Sequence, residues 1–206
     1  MIDRYLLPLQ HKLLDPPARA MSAAGISANA VTVAGFMLGL MAVPALAAGW
    51  YGGALVLIVL NRIADGLDGA IARRTEASDR GAFIDIAFDF LFYALVPIGF
   101  ALADPASNAL PAAILVAAFV GTGSSFLAFA AVAAQRGVAA DDYPTKGIYY
   151  LGGLTEGAET IAVFVAMCLF PPAFPTLAYV FSAACLLTTL TRWYHGWTVF
   201  AETDNP

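Results

Sequence analysis

The chain has 206 residues, 60% of them apolar and only 12% charged, with a mean hydropathy of +0.75. A soluble domain carries about twice that share of charge, so the composition points to an integral membrane protein and away from a water-soluble bundle. A net charge of −5 argues against nucleic acid as a partner.

The first 24 residues mix charge and apolar side chains. Ile2, Tyr5, Leu6, Leu9, Leu13 and Leu14 recur at helical spacing, with Asp3, Arg4, Gln10 and Lys12 between them. That pattern suits a helix lying in the membrane interface; the alternative is a helix packed on the ends of the bundle. No cleavable leader is read here, because a clean apolar core is lacking. Six apolar stretches follow, at about residues 28–49, 52–73, 81–103, 109–135, 147–170 and 174–200. Each approaches the roughly 20 residues that a membrane-crossing helix needs. Connectors rich in proline and glycine separate them. The expectation is an all-α integral membrane protein, one domain over residues 1–206: an interfacial helix (1–24) and a six-helix bundle (25–206). Cys168 and Cys185 fall inside apolar runs, where a thiol behaves as a small hydrophobe.

Basic residues set the expected topology. Arg4, Lys12 and Arg19 precede the first span, Arg73, Arg74 and Arg80 flank the second loop, and Arg136 and Lys146 flank the fourth. The loops near 49–52, 103–108 and 171–174 carry no Lys or Arg. The positive-inside rule then places both termini and the second loop in the cytoplasm of a bacterial-type inner membrane. Arg62 and Arg192 lie inside spans. An intramembrane charge marks either a functional site or an internal ion pair.

The second loop joins two spans that carry Asp65, Asp68, Asp85 and Asp89. These acids are mirror images about the hairpin tip, so Asp68 should meet Asp85, and Asp65 should meet Asp89 one turn deeper. At about 1.5 Å per residue they lie roughly 10–18 Å from the tip. Residues three or four apart share a helix face, so four carboxylates converge. Clustered anions in low dielectric need neutralising. Hard oxygen donors at this density suit Mg²⁺ or Mn²⁺; polar helix contacts, with Arg62 or Arg73 as partner, are the plainer alternative. Gly66, Gly69, Ala70 and Ala72 leave the second helix with little bulk beside the acids. Arg73 and Arg74 stand where the helix meets the cytoplasm, placed to contact phosphate.

Written as spacing, the stretch is D-x2-D-G-x2-A-R-x7-G-x3-D-x3-D. It resembles the signature of the CDP-alcohol phosphotransferase family at every fixed position: Asp65, Asp68, Gly69, Ala72, Arg73, Gly81, Asp85 and Asp89. The resemblance extends from about residue 26 onward. It implies two divalent ions held by Asp65, Asp68, Asp85 and Asp89, with Asp89 also the general base. It implies transfer of a phosphate-linked group from a CDP-alcohol, most simply CDP-diacylglycerol, to an acceptor hydroxyl with release of CMP. It also implies a homodimer. "NAVT", Asn29 to Thr32, is similar to the family's PNxxT segment near the nucleotide, with Ala28 where proline is usual. Asn29 either caps the first span or meets the nucleotide, or does both. Ser78 matches a donor-contacting position, and is otherwise an ordinary loop serine. The expected donor site is thus Asn29, Thr32, Gly69, Ala72, Arg73 and Ser78.

Acceptor choice should rest on "YYLGGLTEGAET", Tyr149 to Thr160. Members that make phosphatidylglycerol phosphate often carry G-K-x-K-T-x-x-Q there. Here Gly153 and Thr155 replace the lysines and Glu159 the glutamine, which disfavours an anionic acceptor. Gly153, Glu156 and Gly157 look more like the G-P-V-E-G segment of choline and ethanolamine phosphotransferases. An amino alcohol or neutral polyol is expected, with a phosphatidylglycerol-phosphate synthase as the alternative. Glu156, Glu159, Lys146 and Arg192 are candidate acceptor residues; otherwise the two glutamates pair with Arg192 or Lys146. A divalent-cation transporter is the rival from another class, but the outer halves of the spans offer no polar groups to continue a path.

Overall fold

The computed structural model describes residues 3–75, 77–136 and 153–201, with side chains from residue 12 onward. Every regular element among them is helical: α1 (Asp3–Ala23), α2 (Ala28–Ala47), α3 (Tyr51–Ala72), α4 (Asp79–Ala103), α5 (Pro105–Gln135), α6 (Gly157–Leu169) and α7 (Phe174–Ala201), with a 3₁₀ turn at Pro171–Ala173.

Local chemistry explains where several helices start. Ser27 and Ser78 cap α2 and α4, their hydroxyls accepting from the backbone N–H of Ala30 and Gly81. Asp104 caps α5 by accepting from Ser107 N–H, and Pro105 takes the first helical position. This cap starts α5 four residues before the expected 109. The fifth apolar stretch differs more. Its helix begins at Gly157, not 147, because Glu156 and Glu159 form a capping box there. Residues 147–152 lie outside the described residues.

Among the described residues, four stretches are long and apolar enough to cross a membrane: α2, α4, α5 and the Pro171–Ala201 run containing α7. Helix α3 is as long, but Arg62, Asp65 and Asp68 interrupt it; α6 has only 13 residues.

Helix α2 packs against both α3 and α4, α4 packs on α5, α5 packs along α7, and α6 lies against α3. Close approach of α2 to α3 depends on Gly35: a Cβ there would stand 2.6 Å from Ala64 Cβ. The buried Asn61 side chain locks the pair, donating to Gly35 O at 2.9 Å. Away from the acids, Leu46, Ile58, Phe92, Val96, Phe100, Leu115, Phe164, Met167, Phe174 and Phe181 form one continuous apolar core. Cys168 and Cys185 are free and buried in it, as expected.

A second, smaller cluster sits at the other end. Ala18 of α1 is fully buried with Val31, Ala64, Ala70 and Ile71. Arg74 donates to Asp15, which also pairs with Arg19 at 3.4 Å. Helix α1 therefore packs on the end of α3 that carries the aspartates.

Candidate metal and nucleotide site

Helices α3 and α4 pack on α2 rather than along one another as expected of a hairpin, yet their acids face one cavity. Thr32, Gly35 and Phe36 of α2, Asn61, Arg62, Asp65 and Asp68 of α3, and Asp85, Phe88 and Asp89 of α4 line one small cavity. Its free space is about 10 Å³, on the order of one water molecule or one bare ion. Phe36 and Phe88 stack at 4.1 Å between ring centres and form an apolar wall.

Asp65, Asp68 and Asp85 each offer one oxygen to a group whose members lie within 4.8 Å of one another. Two oxygens on a single small divalent ion stand at most about 4.2 Å apart, given metal–oxygen bonds of about 2.1 Å. A trans pair thus needs a closure of at most about half an ångström, and cis pairs, about 3.0 Å apart on such an ion, a further side-chain rotation. Asp68 is 5% exposed, and its Oδ2 is buried with no hydrogen-bond partner. A buried carboxylate oxygen without a partner is costly, and a cation supplies what the protein does not. The donor set therefore fits a hard divalent ion.

Asp89 lines the same cavity but stands outside that group of three. Its Oδ1 accepts from Arg62 Nη2 at 2.7 Å. Arg62 Nη1 lies 3.7 Å from Asp65 Oδ2, so the guanidinium sits between the two deeper acids. The mirror pairing of Asp65 with Asp89 is thus made through an arginine.

The expected donor residues gather at the same end. Thr32 lines the cavity, its hydroxyl donating to Ala28 O. Asn29 does not cap α2, since Ser27 does; it faces α4 instead. A Cβ on Gly81 would lie 2.8 Å from Asn29 Oδ1 and 3.2 Å from Ser78 Oγ. Only glycine lets the two helix starts approach this closely. Ser78 is the cap of α4. Gly69 and Ala72 lie on the last turns of α3, with the Arg73 guanidinium over Gly69. Arg73 also lines an open groove of about 390 Å³ with Lys12, Asp15 and Pro16.

The acceptor candidates form a separate group. Glu156 accepts from Gly153 N–H at 3.0 Å, and Glu159 from Glu156 N–H at 3.2 Å. Arg192 of α7 is buried, donates to Thr122 O and stacks over Phe126. Thr155 donates to Thr188, fastening the approach to α6 onto α7. None of these residues lines the acidic cavity. Lys146 lies outside the described residues.

Two residues of the site carry no motif. Asn61 and Tyr93 both hold Arg62, as acceptors of its Nε at 2.8 Å and its Nη1 at 3.2 Å. Asn61 had a signal in the sequence: it falls four residues before Asp65 and seven before Asp68, on one helix face.

An all-helical fold with four long apolar stretches and carboxylates of α3 and α4 converging on one cavity defines a membrane protein with an acidic centre. The CDP-alcohol phosphatidyltransferase family model matches residues 25–201, and the chain belongs to that family. Inner membrane protein YnjF of Escherichia coli (strain K12) is 54% identical over 197 residues, covering 96% of each chain. Two crystal structures of Mycobacterium tuberculosis phosphatidylinositol phosphate synthase (PgsA1) share the fold. The complex with manganese and citrate superposes with a TM-score of 0.72 at 20% identity, covering 90% of this chain and 89% of the other. The form with CDP-DAG bound gives 0.67 at 21%, covering 91% and 94%.

Proposed function

We propose that the chain transfers a phosphatidyl or other substituted phosphate group from a CDP-alcohol, CDP-diacylglycerol in the first instance, to an alcohol, with release of CMP. The observation that carries this reading is the triad Asp65, Asp68 and Asp85 with the buried, unpartnered oxygen of Asp68, set inside the complete family signature. The solved relatives, with manganese in one and CDP-DAG in the other, support the same donor and ion class.

In this reading Asp65, Asp68, Asp85 and Asp89 hold two divalent ions, Mg²⁺ or Mn²⁺, in the working complex. When bound, they neutralise the diphosphate and the charge developing on CMP. Asp89 takes the proton from the acceptor hydroxyl as its oxygen bonds to phosphorus and the bond to the CMP oxygen breaks. Asn29, Thr32, Gly69, Ala72, Arg73 and Ser78 bind the donor. The small residues allow close approach, and Arg73 brings positive charge to phosphate. The acceptor is an amino alcohol or neutral polyol, with Glu156, Glu159, Lys146 and Arg192 as its candidate contacts. Carboxylates at Glu156 and Glu159 disfavour a phosphate-bearing acceptor.

The membrane placement is part of the proposal. Residues 1–206 act as one domain of six spans with α1 in the interface, in an inner membrane like that named for the E. coli relative, as a homodimer. Helix α3 spans despite its charges: Val56, Val59, Leu60 and Ile63 are exposed, while the charged side chains turn into the cavity. Trp50 is exposed at one end of the bundle, and Trp193, Tyr194 and Trp197 on the closing turns of α7. Aromatic side chains favour both membrane interfaces. The end bearing Arg73, Arg74 and Arg80 is cytoplasmic by the positive-inside rule. Against a transporter stands the apolar core beyond the acids, where Phe92, Phe100, Phe164 and Phe174 are fully buried.

The test uses purified protein in lipid nanodiscs, labelled CDP-diacylglycerol, Mg²⁺ or Mn²⁺, and a panel of alcohols. CMP release that needs both metal and one alcohol supports the proposal. Cation flux without CMP release overturns it.

A further inference from the structure

Arg62 is built into the acidic cavity, and every nitrogen of its guanidinium is engaged. Nε donates to Asn61 Oδ1 at 2.8 Å, Nη1 to Tyr93 Oη at 3.2 Å, and Nη2 to Asp89 Oδ1 at 2.7 Å. The plane packs over Phe92 at 4.8 Å and Tyr93 at 5.4 Å. Asn61 is itself anchored to Gly35 O of α2. The Arg62 side chain is 16% exposed. Three helices thus fix one cation in place, in a pocket that otherwise collects anions.

We propose that Arg62 is a positioning residue that holds Asp89 out of the metal shell. The substrate-free chain then keeps one divalent ion, on Asp65, Asp68 and Asp85, and takes up a second only with a nucleoside diphosphate. The uptake of the second ion rests on the transferase reading; the role of Arg62 does not.

Charge balance supports the order. Four carboxylates facing one divalent ion and one guanidinium leave a net charge of −1. A second ion raises that to +1, an excess that a diphosphate offsets and an empty pocket does not. Geometry agrees: Asp65, Asp68 and Asp85 each bring one oxygen within 4.8 Å of the others, and Arg62 stands 3.7 Å from Asp65 but hydrogen-bonds one oxygen of Asp89 at 2.7 Å. The unpartnered, buried Asp68 Oδ2 marks where the resident ion binds.

The test counts Mn²⁺ by electron paramagnetic resonance on metal-stripped, full-length protein in nanodiscs. Wild type should bind one ion per chain, and two when CDP is added. Arg62→Met should bind two without CDP, its second site tightening at least tenfold. Arg62→Lys, which keeps the charge, should stay at one. The double variant Arg62→Met with Asp89→Asn should return to one, because the second ion depends on Asp89. Two tight ions in CDP-free wild type, one ion in Arg62→Met, or two in Arg62→Lys would each overturn the proposal. A count of zero in wild type sinks the metal site itself and the transferase reading with it. Failure of CMP release with the expected counts sinks the reaction and leaves the role of Arg62 standing.

Discussion

Replacing Asp68 with Asn isolates the electrostatic cost on which the site is built. At 4.8 Å and an effective dielectric of about 20, two carboxylates repel by about 3.5 kcal/mol. Asp68 takes part in two of the three pairs in the triad, so at that widest separation its charge accounts for about 7 kcal/mol in the metal-free protein. Relief of a third of that, about 2 kcal/mol, raises the melting temperature by about 4–8 °C for a chain of this size. The variant should therefore melt above wild type in EDTA. In Mn²⁺ the order should reverse in sensitivity: a ligand at a hundred times its Kd stabilises by about 2.7 kcal/mol, a gain that wild type keeps and Asp68→Asn loses. Thermal unfolding in nanodiscs with EDTA and with Mn²⁺ measures both. A variant that melts at or below wild type in EDTA, or gains as much from Mn²⁺, would refute the reasoning.

Asp89→Asn should lower turnover by about 10²–10⁴-fold, the range for loss of a general base; full activity removes Asp89 from that role. Gly81→Val should weaken both stability and donor binding, because its Cβ meets Asn29 Oδ1 at 2.8 Å. Overpacking of this kind costs about 1–3 kcal/mol, and an unchanged melting temperature contradicts the contact. Docking of α1 should be acid-sensitive. The hydrogen bond from Arg74, and then its charge and that of Arg19, hold the Asp15 carboxyl below its ordinary value of 3.8. A depressed folded value stabilises fully above the unfolded one and is lost as pH falls through the folded value. Spin-label distances between α1 and α3 should thus hold down to about pH 4 and lengthen below it, and Asp15→Asn should abolish that pH dependence.

The meeting of the acids of α3 and α4 was legible because apolar length gives the helices and the mirrored spacing puts Asp68 and Asp85 at one depth. That both helices reach the cavity by packing on α2 was not, since no acid pattern reports it. Nor was the partner of Asp89, because an arginine three residues before Asp65 reads equally as a functional charge or an internal ion pair; only the positions of Asn61, Phe92 and Tyr93 fix its direction. The start of α6 was missed for a different reason. Glutamate is a poor N-cap by propensity, so the capping box of Glu156 and Glu159 does not announce a boundary within an apolar stretch. Asn29 was misjudged as a possible cap because Ser27, two residues earlier, already supplies one. Its actual neighbour, Gly81, is distant in sequence, and only tertiary packing brings them together.

An anomalous difference map from a crystal of the full-length protein grown with Mn²⁺ tests the acidic centre most directly. A strong peak should lie among the carboxylates of Asp65, Asp68 and Asp85, about 2.1–2.2 Å from one oxygen of each. No peak at saturating Mn²⁺, with the three side chains turned apart, would contradict the metal centre and the transferase chemistry built on it.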